Sequence, residues 1–144
     1  MARTFSNDPL LKFKYRVSIP GMPTSMGFNK VSGLKRTINP VSYSEGGYAH
    51  EHKLQGKEKV EPVTLERGMY SGDTDLYDLY RNSLEDSDTR TTVTIELLDK
   101  TGAVAHTWKL AEAWASVWEG TDFDANSEDV AIEKITFEFE YFEE

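Results

Sequence analysis

Few residues in this 144-residue chain have the types and spacing that chemistry requires. Cysteine is absent and there are three histidines, His50, His52 and His106. His50-Glu51-His52 presents two imidazoles on one side of an extended segment, but a metal needs further ligands. In a glycine-bearing stretch, a solvated pair is the better account. Asp122-x-Asp124 with Asn126 and Glu128 resembles the start of a calcium loop. Glu133 falls on the twelfth position, but Ser127 stands where an EF-hand needs Gly, and a strand pattern follows instead of a helix. The acid-rich tail offers paired carboxylates, yet nothing separates an acid from a base for glycoside chemistry. A G-x-S-x-G elbow is missing, and Gly46-Gly47 follows a strand without opening a helix, so no phosphate loop is read. Trp108, Trp114 and Trp118 suggest a sugar-binding platform. Core packing explains the aromatics better, because Phe137, Phe139 and Tyr141 keep the alternation of a buried face. The expectation is no catalytic residue, no metal and no cofactor.

The elements that carry these residues have a dominant period of two. From Leu11 to Ile19 every odd position is apolar and every even one polar, a half-buried strand ended by Pro20-Gly21. A longer extended stretch runs from about Phe28 to Tyr43, interrupted at Gly33 and Pro40. Residues 45–57 hold three glycines and no clear period, which predicts a long loop. Val60 to Arg67 reads as a strand, with Pro62 near its start or at an edge. Leu76, Leu79, Tyr80 and Leu84 share one helical face, predicting a helix over about 73–85 with Ser71 or Asp73 as N-cap. Strands resume at Thr92–Leu97, and Asp99 to Gly102 makes a tight turn into Val104–Leu110. An extended stretch through the tryptophans leads to a final strand from about Ala131 to Phe142. One domain over 1–144 is expected, mainly β: a small barrel or sandwich with one flanking helix.

Charge is distributed unevenly. Residues 1–70 carry 11 Lys/Arg against 6 Asp/Glu, residues 71–118 carry 4 against 9, and residues 119–144 carry Lys134 alone against ten acids. The first 118 residues cancel, and the last 26 hold the entire net charge of −9. This argues against a general nucleic-acid binder, which needs a basic face. Lys12, Lys14 and Arg16 would pair with Glu138 and Glu140 if the first and last strands are neighbours. Alternatively, a basic early half and an acidic end suit head-to-tail association between copies. The first residues lack the apolar stretch of a signal peptide, and no run approaches a membrane span. A soluble protein made in the cytoplasm is expected, with exit by lysis or a dedicated machine if it acts outside the cell.

Several segments together resemble the tail tube protein family of contractile phage tails and related injection particles (gp19-like). They are Phe13–Gly21, Phe28–Leu34, Tyr43–Gly47, Leu54–Lys57 and Val63–Gly68, followed by Trp108–Leu110, Ala113-Trp114, Asp122–Ala125 and Glu128–Glu133. The helix departs from the family pattern in carrying Leu79-Tyr80 where a Trp is common, and the end carries Glu138-Phe139-Glu140 where a His before a Glu is common. The resemblance implies a structural protein, not an enzyme. Hexameric rings with a joint inner β-barrel would stack into a tube that a contracting sheath drives through a target envelope. It implies partners: other copies, a sheath protein, baseplate and terminator proteins, and a tape measure or cargo in the lumen, with DNA passing only in a phage. The assembled particle would be a virion tail or an extracellular tail-like particle. The same resemblance assigns Glu45, Gly46, Gly47, Tyr48, His50, His52, Leu54, Gly56 and Lys57 to contacts between subunits or rings. It implies an acidic lumen, and Glu138 and Glu140, on the polar face of the last strand, are expected to line it. A type VI secretion ring protein is the near alternative. A carbohydrate-binding β-sandwich and a hydrolase with an acidic pair are the distant ones.

Overall fold

A computed structural model describes residues 9–23 and 27–144. The first eight residues, on which the expectation about a signal peptide falls, lie outside them. In chain order the elements are β1 (Tyr15–Ser18), β2 (Lys30–Ser32), β3 (Arg36–Tyr43), β4 (His52–Val60) and β5 (Val63–Gly68), then α1 (Asp75–Glu85), β6 (Thr91–Leu98), β7 (Val104–Glu119), β8 (Ile132–Glu138) and β9 (Tyr141–Glu143). Seven of the strands form one antiparallel sheet ordered β1-β6-β7-β8-β5-β2, with β9 beside β7. Among the described residues, the remaining two, β3 and β4, pair only with each other.

The two-residue period builds the core. Val63 and Leu65 of β5 lie opposite Phe137 and Ile135 of β8, and all four are fully buried. Val93 of β6 and Leu110 of β7 add a second directly opposed buried pair. The sheet rolls because β7 serves two sets of neighbours. Its first part pairs with β6 and β9, and Trp114–Glu119 pairs with β8. Glu112 sits at the handover with φ 55°, a left-handed bulge that lets a 16-residue strand turn a corner. The result is the expected mainly-β barrel with one flanking helix. Leu76 anchors α1 over β7, where the Ser83 hydroxyl accepts the Ala115 N–H at 3.2 Å.

Four expectations change. The stretch over 45–57 is a turn followed by a strand: β4 begins at His52, and Val60 ends it instead of opening β5. Lys53, Gln55 and Gly56 have no apolar alternation, so pairing with β3 is what makes this segment extended. The last strand breaks at Phe139-Glu140, and the Glu140 N–H bonds to Ala111 O at 3.1 Å. Phe142 is therefore buried in place of Tyr141, which is exposed. The first strand lies against β6 and not β8, so Arg16 pairs with Glu96 at 3.0 Å and not with Glu138 or Glu140. Finally, the helix N-cap is Thr74, which makes no side-chain cap bond. Asp73 takes that role one residue earlier by accepting the Asp75 N–H at 3.0 Å.

Candidate functional site

The β3–β4 hairpin stands away from the barrel with both faces largely in solvent. Its apolar residues Ile38, Val41, Tyr43 and Leu54 are each about half exposed, at 48–55%. A two-stranded hairpin is marginal alone in water, and this one is held at its base. Gly33 has φ +98°, and a Cβ there would sit 2.3 Å from the Pro62 carbonyl oxygen. Only glycine fits at that strand exit. Arg36 donates to Glu58 across the hairpin and, at 2.6 Å, to Glu144 at the chain end, while its guanidinium lies over the Phe142 ring. The Arg36 hydrogen bond holds the Glu58 carboxyl below the usual carboxylate range, and Glu58 and Glu144 raise the Arg36 pKa in return.

Midway, the register shifts between Ile38 and Pro40, where proline has no N–H to contribute. Gly56 faces this irregularity. A Cβ on it would meet Asn39 O at 2.4 Å, so any side chain would push the two strands apart. At the tip, the His52 ring lies between Tyr43 and Tyr48, with centroids 5.0 and 4.5 Å away and both contacts stacked. Its Nε2 is 3.2 Å from Glu45 Oε2, and His50 meets Tyr48 edge-on. The structure thus gathers Glu45, Tyr48, His50 and His52 into one ordered cap. It places Leu54, Gly56 and Lys57 along β4 and leaves Gly46 and Gly47 in the turn, the latter at φ +81°. Among the described residues, no group of three His, Asp or Glu is arranged to hold a metal ion.

Glu138 and Glu140 are not on one strand face: Glu138 ends β8 opposite Trp114, and Glu140 lies in the bend before β9. The tryptophans form no shared platform either. Trp108 and Trp118 pack on the core, Trp118 also meets Tyr77 edge-on, and Trp114 carries the Arg90 guanidinium. In the Asp122–Glu128 segment, Asp124 accepts the Asn126 N–H at 2.9 Å, which makes a local turn.

One constellation goes unnoticed in the sequence reading. Arg67 and Glu133 are cross-strand partners on β5 and β8, both on the inward parity and only 3% and 2% exposed. Arg67 Nε donates to Glu133 Oε1 at 2.9 Å and its Nη2 to Asp73 Oδ1 at 2.9 Å. Trp118 Nε1 donates to the other Glu133 oxygen at 3.2 Å. Burial disfavours the Arg67 charge, but the hydrogen bonds to Asp73 and Glu133 outweigh it, and its pKa rises. Asp73, bonded by Arg67 and by the Asp75 N–H, is held below the usual carboxylate range. These bonds pin the start of α1 and the end of β7 to the barrel. The signal was available in sequence: opposite charges at apolar-parity positions of two strands, Val63-x-Leu65-x-Arg67 and Glu133-x-Ile135-x-Phe137.

The family model described as T4-like virus tail tube protein gp19 matches residues 11–143. The chain belongs to this tail tube family. Solved relatives agree. A chain of the extended PVC sheath–tube complex, an extracellular contractile injection system, is 26% identical with a TM-score of 0.84, covering 96% of this chain and 92% of that one. A chain of the PVC sheath/tube terminator in the extended state is likewise 26% identical with a TM-score of 0.84, covering 94% and 96%. The Hcp1 protein of Flavobacterium johnsoniae shares the fold more distantly, at 16% identity and a TM-score of 0.52 over 88% of this tube-family chain and 90% of its own. No curated protein sequence matches the chain. Among the described residues, no helix is long and apolar enough to cross a membrane.

Proposed function

We propose that this chain is a non-enzymatic subunit of the inner tube of a contractile tail or tail-like injection particle. Hexameric rings of it stack inside a sheath, capped by terminator and baseplate proteins, in a particle that acts outside the cell that made it. The observation that carries this reading is the hairpin: a clamped, preordered β3–β4 ladder whose Ile38, Val41, Tyr43 and Leu54 side chains remain about half exposed. Unpaired strand edges and uncovered apolar residues of this kind call for neighbours. Ile38, Val41 and Leu54 are already about half covered, so burying the rest of each against another copy would contribute about 1 kcal/mol. In a ring, hairpins side by side would join into one inner barrel, with no edge left open. Surplus carboxylates, Glu138 and Glu140 among them, would line the lumen and repel nucleic acid. Binding of DNA to the interior of assembled tubes at low salt would overturn that part.

Replacing residues 41–54 by Asn-Gly closes the hairpin at the Pro40–Gln55 pair with a two-residue turn. The variant should keep the parent's far-UV spectrum and melting temperature and form no rings or tubes in negative stain. Normal tubes would sink the hairpin assignment. The stronger likeness to the sheath–tube and terminator structures than to Hcp favours the injection-particle tube over the secreted ring of type VI secretion.

A further inference from the structure

The two edge strands of the sheet, β1 and β2, come together without pairing among the described residues. The Tyr15 hydroxyl donates to the Phe28 carbonyl across this seam. Over it lies a groove of about 660 Å³ lined by Phe13, Tyr15, Phe28, Leu34 and Trp108 and flanked by Lys12 and Lys30. Phe13 is 69% exposed, so the groove's own lip is left uncovered. Elsewhere on the same chain, the β7–β8 connection presents Phe123, which is 95% exposed between Asp122 and Asp124. The turn beneath it is tied: Asp124 accepts from the Asn126 N–H through its side chain and from the Ser127 N–H through its carbonyl, at 2.9 and 3.1 Å. A fixed loop therefore holds an aromatic ring in water between two carboxylates, and an aromatic slot between two lysines stays open among the described residues.

We propose that Phe123 of one copy seats in the β1–β2 groove of the next, with Asp122 and Asp124 opposite Lys12 and Lys30. Knob and slot are different patches of the same chain, so the contact is head-to-tail and can close a ring. The apolar part supplies affinity, and the charges supply register and faster encounter. This deepens the tube reading and rests on it. It is a contact separate from the hairpin, and it gives the acidic end and basic beginning of the chain a place to meet.

The absence of cysteine allows a direct test. The doubly substituted Phe123→Cys/Leu34→Cys protein, oxidised under assembly conditions, should give a crosslinked ladder in non-reducing electrophoresis. Phe123→Cys or Leu34→Cys alone, which puts only one thiol at each head-to-tail contact, should run as monomer. Phe13→Cys serves as a second groove-side position should Leu34→Cys perturb folding. Phe123→Ser should leave the monomer's melting temperature unchanged and raise the concentration needed for ring formation by about 10- to 100-fold. High salt should weaken assembly of the parent more than that of Asp122→Asn/Asp124→Asn. Tubes that form from the double-cysteine protein without a ladder, or Phe123→Ser assembling like the parent, would overturn the contact and leave the tube reading intact. A parent protein that stays monomeric at every concentration would sink both.

Discussion

The barrel and the hairpin are built from the same kind of strand and meet opposite fates. In β5 and β8 every second residue is buried, and each apolar side chain finds its cover within the chain. In β3 and β4 most residues are exposed, and Ile38, Val41 and Leu54 stay about half exposed. Strand pairing therefore does not by itself create a core; that depends on whether another element of the same chain covers the paired strands. The hairpin is not loose for being uncovered. Arg36 with Glu58 and Glu144 fixes its root, Gly56 allows its strands to approach, and the Tyr43–His52–Tyr48 stack fixes its tip. Ordering this surface in advance would lower the entropy lost in the proposed association.

The widest test of this contrast sets one residue of each region against the other. Phe137→Ala removes a fully buried ring from β8 and should cost about 3–5 kcal/mol of unfolding free energy. Leu54→Ser, on the exposed hairpin, should change monomer stability by no more than about 0.5 kcal/mol while impairing ring formation. Chemical denaturation of the monomer and sedimentation of the assembled form read the two effects separately. If Leu54→Ser destabilised the monomer as Phe137→Ala does, the division of labour between the regions would be wrong.

A sharper test lies inside the barrel, at its buried ions. Glu133 is hemmed in by Arg67 and the Trp118 indole. Glu133→Gln keeps the shape and leaves the Arg67 charge with Asp73 as its remaining carboxylate, so a loss of about 3 kcal/mol is expected, read as a lower denaturation midpoint. Arg67→Met with Glu133→Leu, which removes both charges, should recover much of that loss. The recovery would be incomplete, because Asp73 would keep only its bond to the Asp75 N–H. On the hairpin, Arg36 and Glu58 are exposed, and breaking their pair should scarcely move the midpoint.

How far the sequence anticipates this follows the same division. The barrel strands, the helix and the 99–102 turn are legible because their apolar spacing matches cover supplied by the chain itself. Residues 52–60 are not, because their extended form comes from pairing with β3 and their apolar residues have no face to report. The final strand misleads in one place: Phe137, Phe139 and Tyr141 share a parity, but the bend at Glu140 exchanges Tyr141 for Phe142 in the core. Nothing local marks that bend, which is set by the Glu140 bond to Ala111 beside the corner at Glu112. Of the candidate contact residues, their grouping at one hairpin could be anticipated, whereas the ring stack around His52 depends on a cross-strand register that spacing alone does not fix. Arg67 and Glu133 were readable by parity, as charges placed where Val63 and Phe137 predict an interior.

The smallest expected effect concerns acid. Asp73 is held below the ordinary carboxylate range by the Arg67 hydrogen bond first and by the Asp75 N–H second. A carboxyl whose folded pKa is depressed stabilises the native state at any pH above its unfolded value, near 3.9, and the contribution disappears as pH falls through the folded value. Native stability should therefore fall below about pH 4, and Asp73→Asn should flatten that part of the acid limb while costing about 1 kcal/mol at neutral pH. The comparison of regions predicts where the loss appears. Asp73 fastens α1 to the barrel, so acid should first loosen the helix, seen as a drop in helical circular dichroism and faster amide exchange over 75–85, while the β5–β8 ladder persists. An acid limb identical in the parent and Asp73→Asn would show that Arg67 and Glu133 hold the helix start without Asp73.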